Sequence, residues 1–188
     1  MSNKHGLFFG GFYPKLGNVA FGLSNTQATG NPYQGDILEE QASMIYHRGT
    51  GNHKLATYFR KKNWDCEVLD YMTEFDWDEI IDYIDTRITK DTVFCGWSVV
   101  FSMTDGVPQY VNKVIQYIRD KHPHVIHIAG GWYGRSLRDI DCDYWVLGNA
   151  EFAMEAILNK HTGYSDEIEH IHKVTNVNGK EGYLIDAV

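Results

Sequence analysis

Thr92-Val93-Phe94-Cys95-Gly96-Trp97-Ser98-Val99-Val100 is almost entirely apolar and shows no polar alternation. A strand with one wet face alternates apolar and polar residues. A run without alternation is covered on both faces, which places it centrally in a parallel sheet. Downstream, Val107 to Lys121 carries Val111, Val114, Ile115 and Ile118 at helical spacing. Val125 to Ala129 is a second buried strand closed by Gly130-Gly131, and Tyr144 to Leu147 a third closed by Gly148. Asn149 to Lys160 reads as the next helix, with Phe152, Ala153, Ala156, Ile157 and Leu158.

The same order runs upstream. Asp76-Trp77-Asp78-Glu79 places acids at a helix start, where the macrodipole favours them, ahead of an Ile80, Ile81, Ile84 and Ile88 stripe. Cys66 to Tyr71 reads as a strand. Asn52 is expected to cap a helix running to about Lys62, with Leu55, Ala56 and Phe59 on one face. Leu7-Phe8-Phe9, ended by Gly10-Gly11, is a short buried strand. Strand and helix thus alternate, with every strand short and apolar. That pattern predicts an α/β fold: a five-stranded parallel sheet with helices on both faces. At the C-terminal end, Asn178-Gly179 between two short runs is a hairpin signal, so residues 168–188 read as an appended β-hairpin. Residues 12–50, rich in Gly, Asn, Thr, Ser and Pro, read as a long loop or insert, with a helical turn or two between Ile37 and Tyr46. The expected division is 1–163 as one domain and 164–188 as a C-terminal extension.

Composition narrows the function classes. Lys and Arg number 17 against 25 Asp and Glu, a net charge of −8, and the basic residues are scattered. Phosphate neutralisation needs clustered cations, so a nucleic-acid partner is not expected. No apolar run approaches the roughly 20 residues of a membrane span, and Leu7-Phe8-Phe9 is too short for the apolar region of a signal peptide, so a cytoplasmic protein is expected. Cys66, Cys95 and Cys142 stand far apart without C-x-x-C spacing and read as buried thiols.

Ligands of open parallel sheets bind at the carboxyl ends of the strands. Here those ends carry Gly10, Gly11, Asp70, Gly96, Trp97, Ser98, Gly130, Gly131 and Gly148. Any single glycine there can simply end a strand; several at one edge let a ligand approach the main chain. Neither G-x-x-x-x-G-K-[ST] nor G-x-G-x-x-G occurs. Ser24-x-Thr26-x-x-Thr29-Gly30-Asn31 is similar to a flavodoxin phosphate loop, but it lies well past the first strand and runs into Pro32. No His pair has H-E-x-x-H spacing. His170-x-His172 reads as structural or solvent-facing, and His47 and His53 as surface residues within reach of the strand ends. Asp139, Asp141 and Asp143 read as solvated loop acids, so no metal site and no catalytic residue is assigned.

Several patterns recur in a known order: Gly51-x-His53-x-Leu55-Ala56-x-x-Phe59-Arg60, Trp64-x-x-Glu67-Val68-x-Asp70-Tyr71, Thr92-x-x-x-Gly96-x-Ser98, Gly130-Gly131, and Asp143-Tyr144-x-Val146-x-Gly148-x-x-Glu151. Together they resemble the N-terminal cobalamin-binding-type domain of radical S-adenosylmethionine (radical SAM) proteins, over most of residues 5–160. The resemblance implies a Rossmann-like (flavodoxin-like) domain holding a corrinoid at its strand ends. Gly96, Ser98, Gly130, Gly131, Gly148 and Glu151 would then line the cobalamin or its nucleotide tail. The implied partner is a radical SAM catalytic domain, in a longer protein or in a separate chain. Two departures stand out. The D-x-H-x-x-G motif, whose His ligates cobalt in several corrinoid proteins, is absent: Asp36 has no His two residues on, and His47 lacks its Asp and its glycine spacing. C-x₃-C-x₂-C is also missing, so no iron–sulfur cluster is expected in this chain. Two rivals remain: a cofactor-free interaction or substrate-recognition module that keeps the fold, and a flavin-binding flavodoxin-like protein.

Overall fold

The computed structural model describes residues 4–10, 50–72, 75–98, 107–131, 138–161 and 171–187. The elements in chain order are β1 (His5–Phe9), α1 (Thr50–Arg60), β2 (Asp65–Leu69), α2 (Trp77–Arg87), β3 (Thr92–Ser98), α3 (Val107–Lys121), β4 (Ile126–Gly131), β5 (Tyr144–Gly148), α4 (Ala150–His161), β6 (Ile171–Thr175) and β7 (Glu181–Ala187). Gly11, the 12–49 part of the expected loop with His47 and the 24–31 segment, and His170 lie outside the described residues.

All seven strands form one sheet in the order β2-β1-β3-β4-β5-β7-β6. The first five are parallel, as expected for an α/β Rossmann-like fold. The hairpin adds the other two: β7 pairs parallel to β5 and β6 antiparallel to β7. The sheet is therefore two strands wider than the five-stranded core. The turn between them is tied to the β4–β5 connection, because Asn176 Nδ2 and Asn178 Nδ2 both donate to Asp141 Oδ1, at 2.5 and 2.9 Å. Gly179 takes φ +82°, a left-handed conformation that glycine tolerates best.

Helices cover both faces. On one, Ile80 and Ile84 of α2 and Val111, Val114, Ile115 and Ile118 of α3 pack with Leu7, Phe9, Cys95, Ala129 and Trp145. On the other, Ala56 and Phe59 of α1 and Ala153, Met154, Ile157 and Leu158 of α4 pack with Phe8, Phe94, Ile128 and Val146. Period-two alternation along β1 explains the division: Leu7 and Phe9 face one layer, Phe8 the other. α2 starts as its acids suggest. Asp76 is the N-cap, accepting from Glu79 N at 2.9 Å while Glu79 Oε2 accepts from Asp76 N at 2.9 Å. Such a capping box contributes about 1 kcal/mol.

α1 differs from the expectation at its start. It begins at Thr50, so Asn52 is inside the helix rather than capping it. Asn52 is 2% exposed and turned toward Gly10. Tertiary burial has overridden the local capping preference of this residue.

Candidate functional site

β1 continues through α1 to β2 on one side of it, while β3 lies on its other side. The chain thus reverses its direction of progress across the sheet between β1 and β3, and a crevice opens at the carboxyl edge of such a switch. Here it is a cleft of about 180 Å³ between α1 and α4. Its glycine lining is Gly51 of α1 together with Gly96, Gly130, Gly131 and Gly148, toward the carboxyl ends of β3, β4 and β5. Phe8, Ile128, Val146, Met154 and Leu55 form apolar walls, and Ser98, Asn52, Asn149, Lys54 and Glu151 add polar groups.

The expected site residues divide on this geometry. Gly96, Trp97, Ser98, Gly130, Gly131, Gly148 and Glu151 all border the cleft. Trp97 is buried on the opposite layer, its indole stacked on Phe9 at 4.5 Å between ring centroids. Gly96 has a packing role as well: a β-carbon there would lie 2.6 Å from the Phe8 ring. Gly10 is not part of the cleft lining; the space beside its Cα is filled by the Asn52 amide. Gly148 has φ +88°, the left-handed backbone that turns the chain from β5 into α4.

Charge sits at the rim. Glu151, in the first turn of α4, forms an ion pair with Lys54 of α1. That hydrogen bond from Lys54 holds the Glu151 carboxyl below its usual range, against partial desolvation. The ion pair links the two helices that flank the cleft. Nearby, His53 Nε2 lies 2.7 Å from Asp70 Oδ2, with the His53 side chain 39% exposed and that of Asp70 12%.

Asn52 and Lys54 were not singled out as ligand-facing from sequence, and Asp70 only as one member of the strand-end set. Their partners, Gly10, Glu151 and His53, come from other elements, and only the fold joins them. Asp70 had one usable signal, its place at a strand's carboxyl end.

The three thiols are buried, as expected. Burial pushes the Cys66 thiol up to about 12 and holds Cys95 and Cys142 still more firmly protonated. None is activated as a nucleophile. Among the described residues no group of three or more His, Cys, Asp and Glu side chains is placed to hold a metal ion. No described helix is long and apolar enough to cross a membrane.

No protein-family model and no curated protein matches the sequence. Solved structures do resemble the fold. A structure of the radical S-adenosylmethionine methyltransferase TsrM from Kitasatospora setae, with tryptophan substrate and a SAM analogue bound, superposes with a TM-score of 0.59 at 13% identity over 94% of this chain. A second TsrM structure, with cobalamin and a [4Fe-4S] cluster bound, superposes with a TM-score of 0.57 at 14% identity over 99% of this chain. In both cases the chain corresponds to 29% of the length of TsrM. At these identities the likeness is one of fold.

Proposed function

We propose that this chain is a cobalamin-binding-type domain that serves a radical SAM catalytic unit, holding a corrinoid at the carboxyl edge of its sheet. The observation that carries the reading is the glycine-lined cleft at the fold's switch point, between α1 and α4. A volume of about 180 Å³ is below the roughly 300–1,000 Å³ of pockets that enclose a whole drug-sized ligand. It suits one planar part of a large ligand. Glycines along β3, β4 and β5 and the apolar walls fit a flat heteroaromatic base, such as the benzimidazole of the cobalamin nucleotide tail. The corrin ring would then lie over the strand ends, outside the cleft.

On this reading Gly96, Trp97, Ser98, Gly130, Gly131 and Gly148 hold the tail through main chain and one hydroxyl. The Lys54–Glu151 ion pair ties α1 to α4 at the rim of the cleft beside the tail. Gly10 acts through the Asn52 amide it admits. Bound cobalamin supplies cobalt-centred group-transfer chemistry; this chain's residues bind and orient it and keep water from the tail. The iron–sulfur cluster would belong to the catalytic unit, since the chain has no C-x₃-C-x₂-C. Its fold resemblance to part of a cobalamin-bound radical SAM methyltransferase supports this arrangement.

The test is reconstitution with hydroxocobalamin followed by gel filtration. A visible corrinoid spectrum that co-elutes with the protein is the expected result. A colourless protein overturns the reading. It favours instead the cofactor-free interaction module, for which Phe152, 76% exposed on α4 one residue from Glu151, offers an apolar contact.

A further inference from the structure

The charge in the cleft is confined to one pair. Among the described residues that border it, Lys54 carries the only positive charge and Glu151 the only negative one; the others are glycines, apolar side chains and neutral polar groups. The two come from the two flanking helices, Lys54 from α1 and Glu151 from the first turn of α4. Their settings are unequal. The Glu151 side chain is 15% exposed and that of Lys54 69% exposed. The Glu151 carboxylate is held by the Lys54 ammonium and by its own main-chain N–H. An anion thus already sits at the rim, on donors from both helices.

The pair is easily exchanged. An ammonium this exposed, on a flexible four-carbon stem, gains little from one fixed carboxylate and can turn to another anion without any backbone shift. The division of the lining then describes the ligand. The floor and walls are uncharged, which suits a neutral flat base, and the cation stands at the rim. A base joined to an anion matches that order. In cobalamin the benzimidazole is joined through a ribose to a phosphodiester, the one anionic group on the periphery of the molecule.

We infer that Lys54 selects a nucleotide-bearing corrinoid by exchanging the Glu151 carboxylate for the phosphodiester of the tail. This rests on the corrinoid reading above and adds the ligand class: a complete corrinoid, as against cobinamide, whose side chain ends in a hydroxyl and carries no phosphate. Glu151 is the resident competitor. It keeps Lys54 at the rim when no ligand is bound and weakens the binding of the anion that replaces it. One ion pair opens and another forms.

The experiment measures binding of hydroxocobalamin and of cobinamide by calorimetry, on the unmodified full chain and on Lys54→Met, Lys54→Arg and Glu151→Gln. On hydroxocobalamin the two charge removals are expected to act in opposite directions. Lys54→Met should bind about threefold to tenfold more weakly, because the phosphodiester loses its cation. Glu151→Gln should bind about threefold more tightly, because the competing charge is gone and the side-chain volume is kept. Lys54→Arg should retain the parent affinity. A bridge that only ties the helices predicts the same direction for Lys54→Met and Glu151→Gln, since either change breaks it. Cobinamide carries the same corrin and cobalt, so it reports any effect that does not pass through the tail; Lys54→Met should leave its affinity unchanged. If cobinamide binds too weakly to measure, the opposite signs on hydroxocobalamin remain decisive. Changes in the same direction, affinities equal to the parent's, or an equal loss on cobinamide overturn the inference and leave the corrinoid reading standing. Failure of the unmodified chain to bind hydroxocobalamin overturns both.

Discussion

The ring of Phe8 on β1 lies against Gly96 on the neighbouring β3, so that a β-carbon on Gly96 would be 2.6 Å from the ring. Two positions back the arrangement is reversed, with the Phe94 ring on β3 occupying the space beside Gly6 on β1. Each bare glycine face is filled by an aromatic ring from the adjacent strand. Phe8 also borders the cleft, so Gly96 governs both core packing and the shape of the cleft floor.

Gly96→Ala is therefore expected to destabilise the protein by about 1–3 kcal/mol, as overpacking of a tight core does. Chemical denaturation should show a lower midpoint with an unchanged slope. A variant as stable as the parent would mean that Phe8 has room to move. The pairing Phe8→Leu with Gly96→Ala should recover part of the loss, because the smaller side chain vacates the space the methyl needs.

The parts of this architecture that were legible in the sequence are those decided within one element. Thr92 to Ser98 reads as a covered strand because burial on both faces erases alternation, and α2 reads from Asp76 because a capping box is local chemistry. Asn52 was misread for the same reason: an Asn ahead of an apolar helical stripe satisfies the capping rule, and only the contact with Gly10 shows that it is buried inside the helix. The Asn178-Gly179 signal established that β6 and β7 pair. It carried no information on which strand the hairpin would join, and β7 lies beside β5 through a parallel register set by tertiary packing. At the site, glycines at strand ends were visible. The Lys54–Glu151 and His53–Asp70 pairs were not, because each joins two elements distant in sequence.

Glu151 yields a prediction in acid. Its carboxyl is held below the usual glutamate range, chiefly because Lys54 donates to it. A carboxyl with a depressed folded-state pKa contributes stability above its unfolded value and loses it as pH falls through the folded value. Lys54 is 69% exposed, so solvent screening keeps the contribution small. Glu151→Gln should leave stability at neutral pH nearly unchanged and reduce the loss of stability below about pH 4.5. Parallel urea titrations at pH 7 and pH 3.5 measure this; an identical acid loss in both proteins would show that the pair does not contribute.

The cysteines permit a simple check on burial. With Cys66 pushed up to about 12 and the other two more strongly protonated, none presents a thiolate at pH 8. A disulfide reagent should label the native chain negligibly and all three cysteines after unfolding in guanidinium. Rapid labelling of one thiol without denaturant would show that its layer of the core opens locally.

His127 offers the sharpest reading of the packed interior. It is fully buried on β4, where its Nδ1 accepts from Trp97 Nε1 at 3.2 Å and its backbone N donates to Asp143 Oδ2 at 2.8 Å. Desolvation is the main cause that lowers its pKa to about 3, with the Arg119 charge adding to it and Asp143 opposing. The ring is therefore neutral throughout the physiological range, with its proton on Nε2 because Nδ1 is the acceptor. The unfolded chain protonates this imidazole near 6.5, so between about pH 6.5 and 3 the unfolded state binds the extra proton. Stability should fall as pH drops through that window, by up to about 1.4 kcal/mol per pH unit from this one group. Nitrogen-detected NMR should find the Nε2–H tautomer with no titration between pH 8 and 5. His127→Phe should flatten the acid limb of the stability profile, since the replacement removes the titrating ring and keeps an aromatic beside Trp97. An imidazole titrating near its ordinary value would mean that water reaches the layer between β4 and α3.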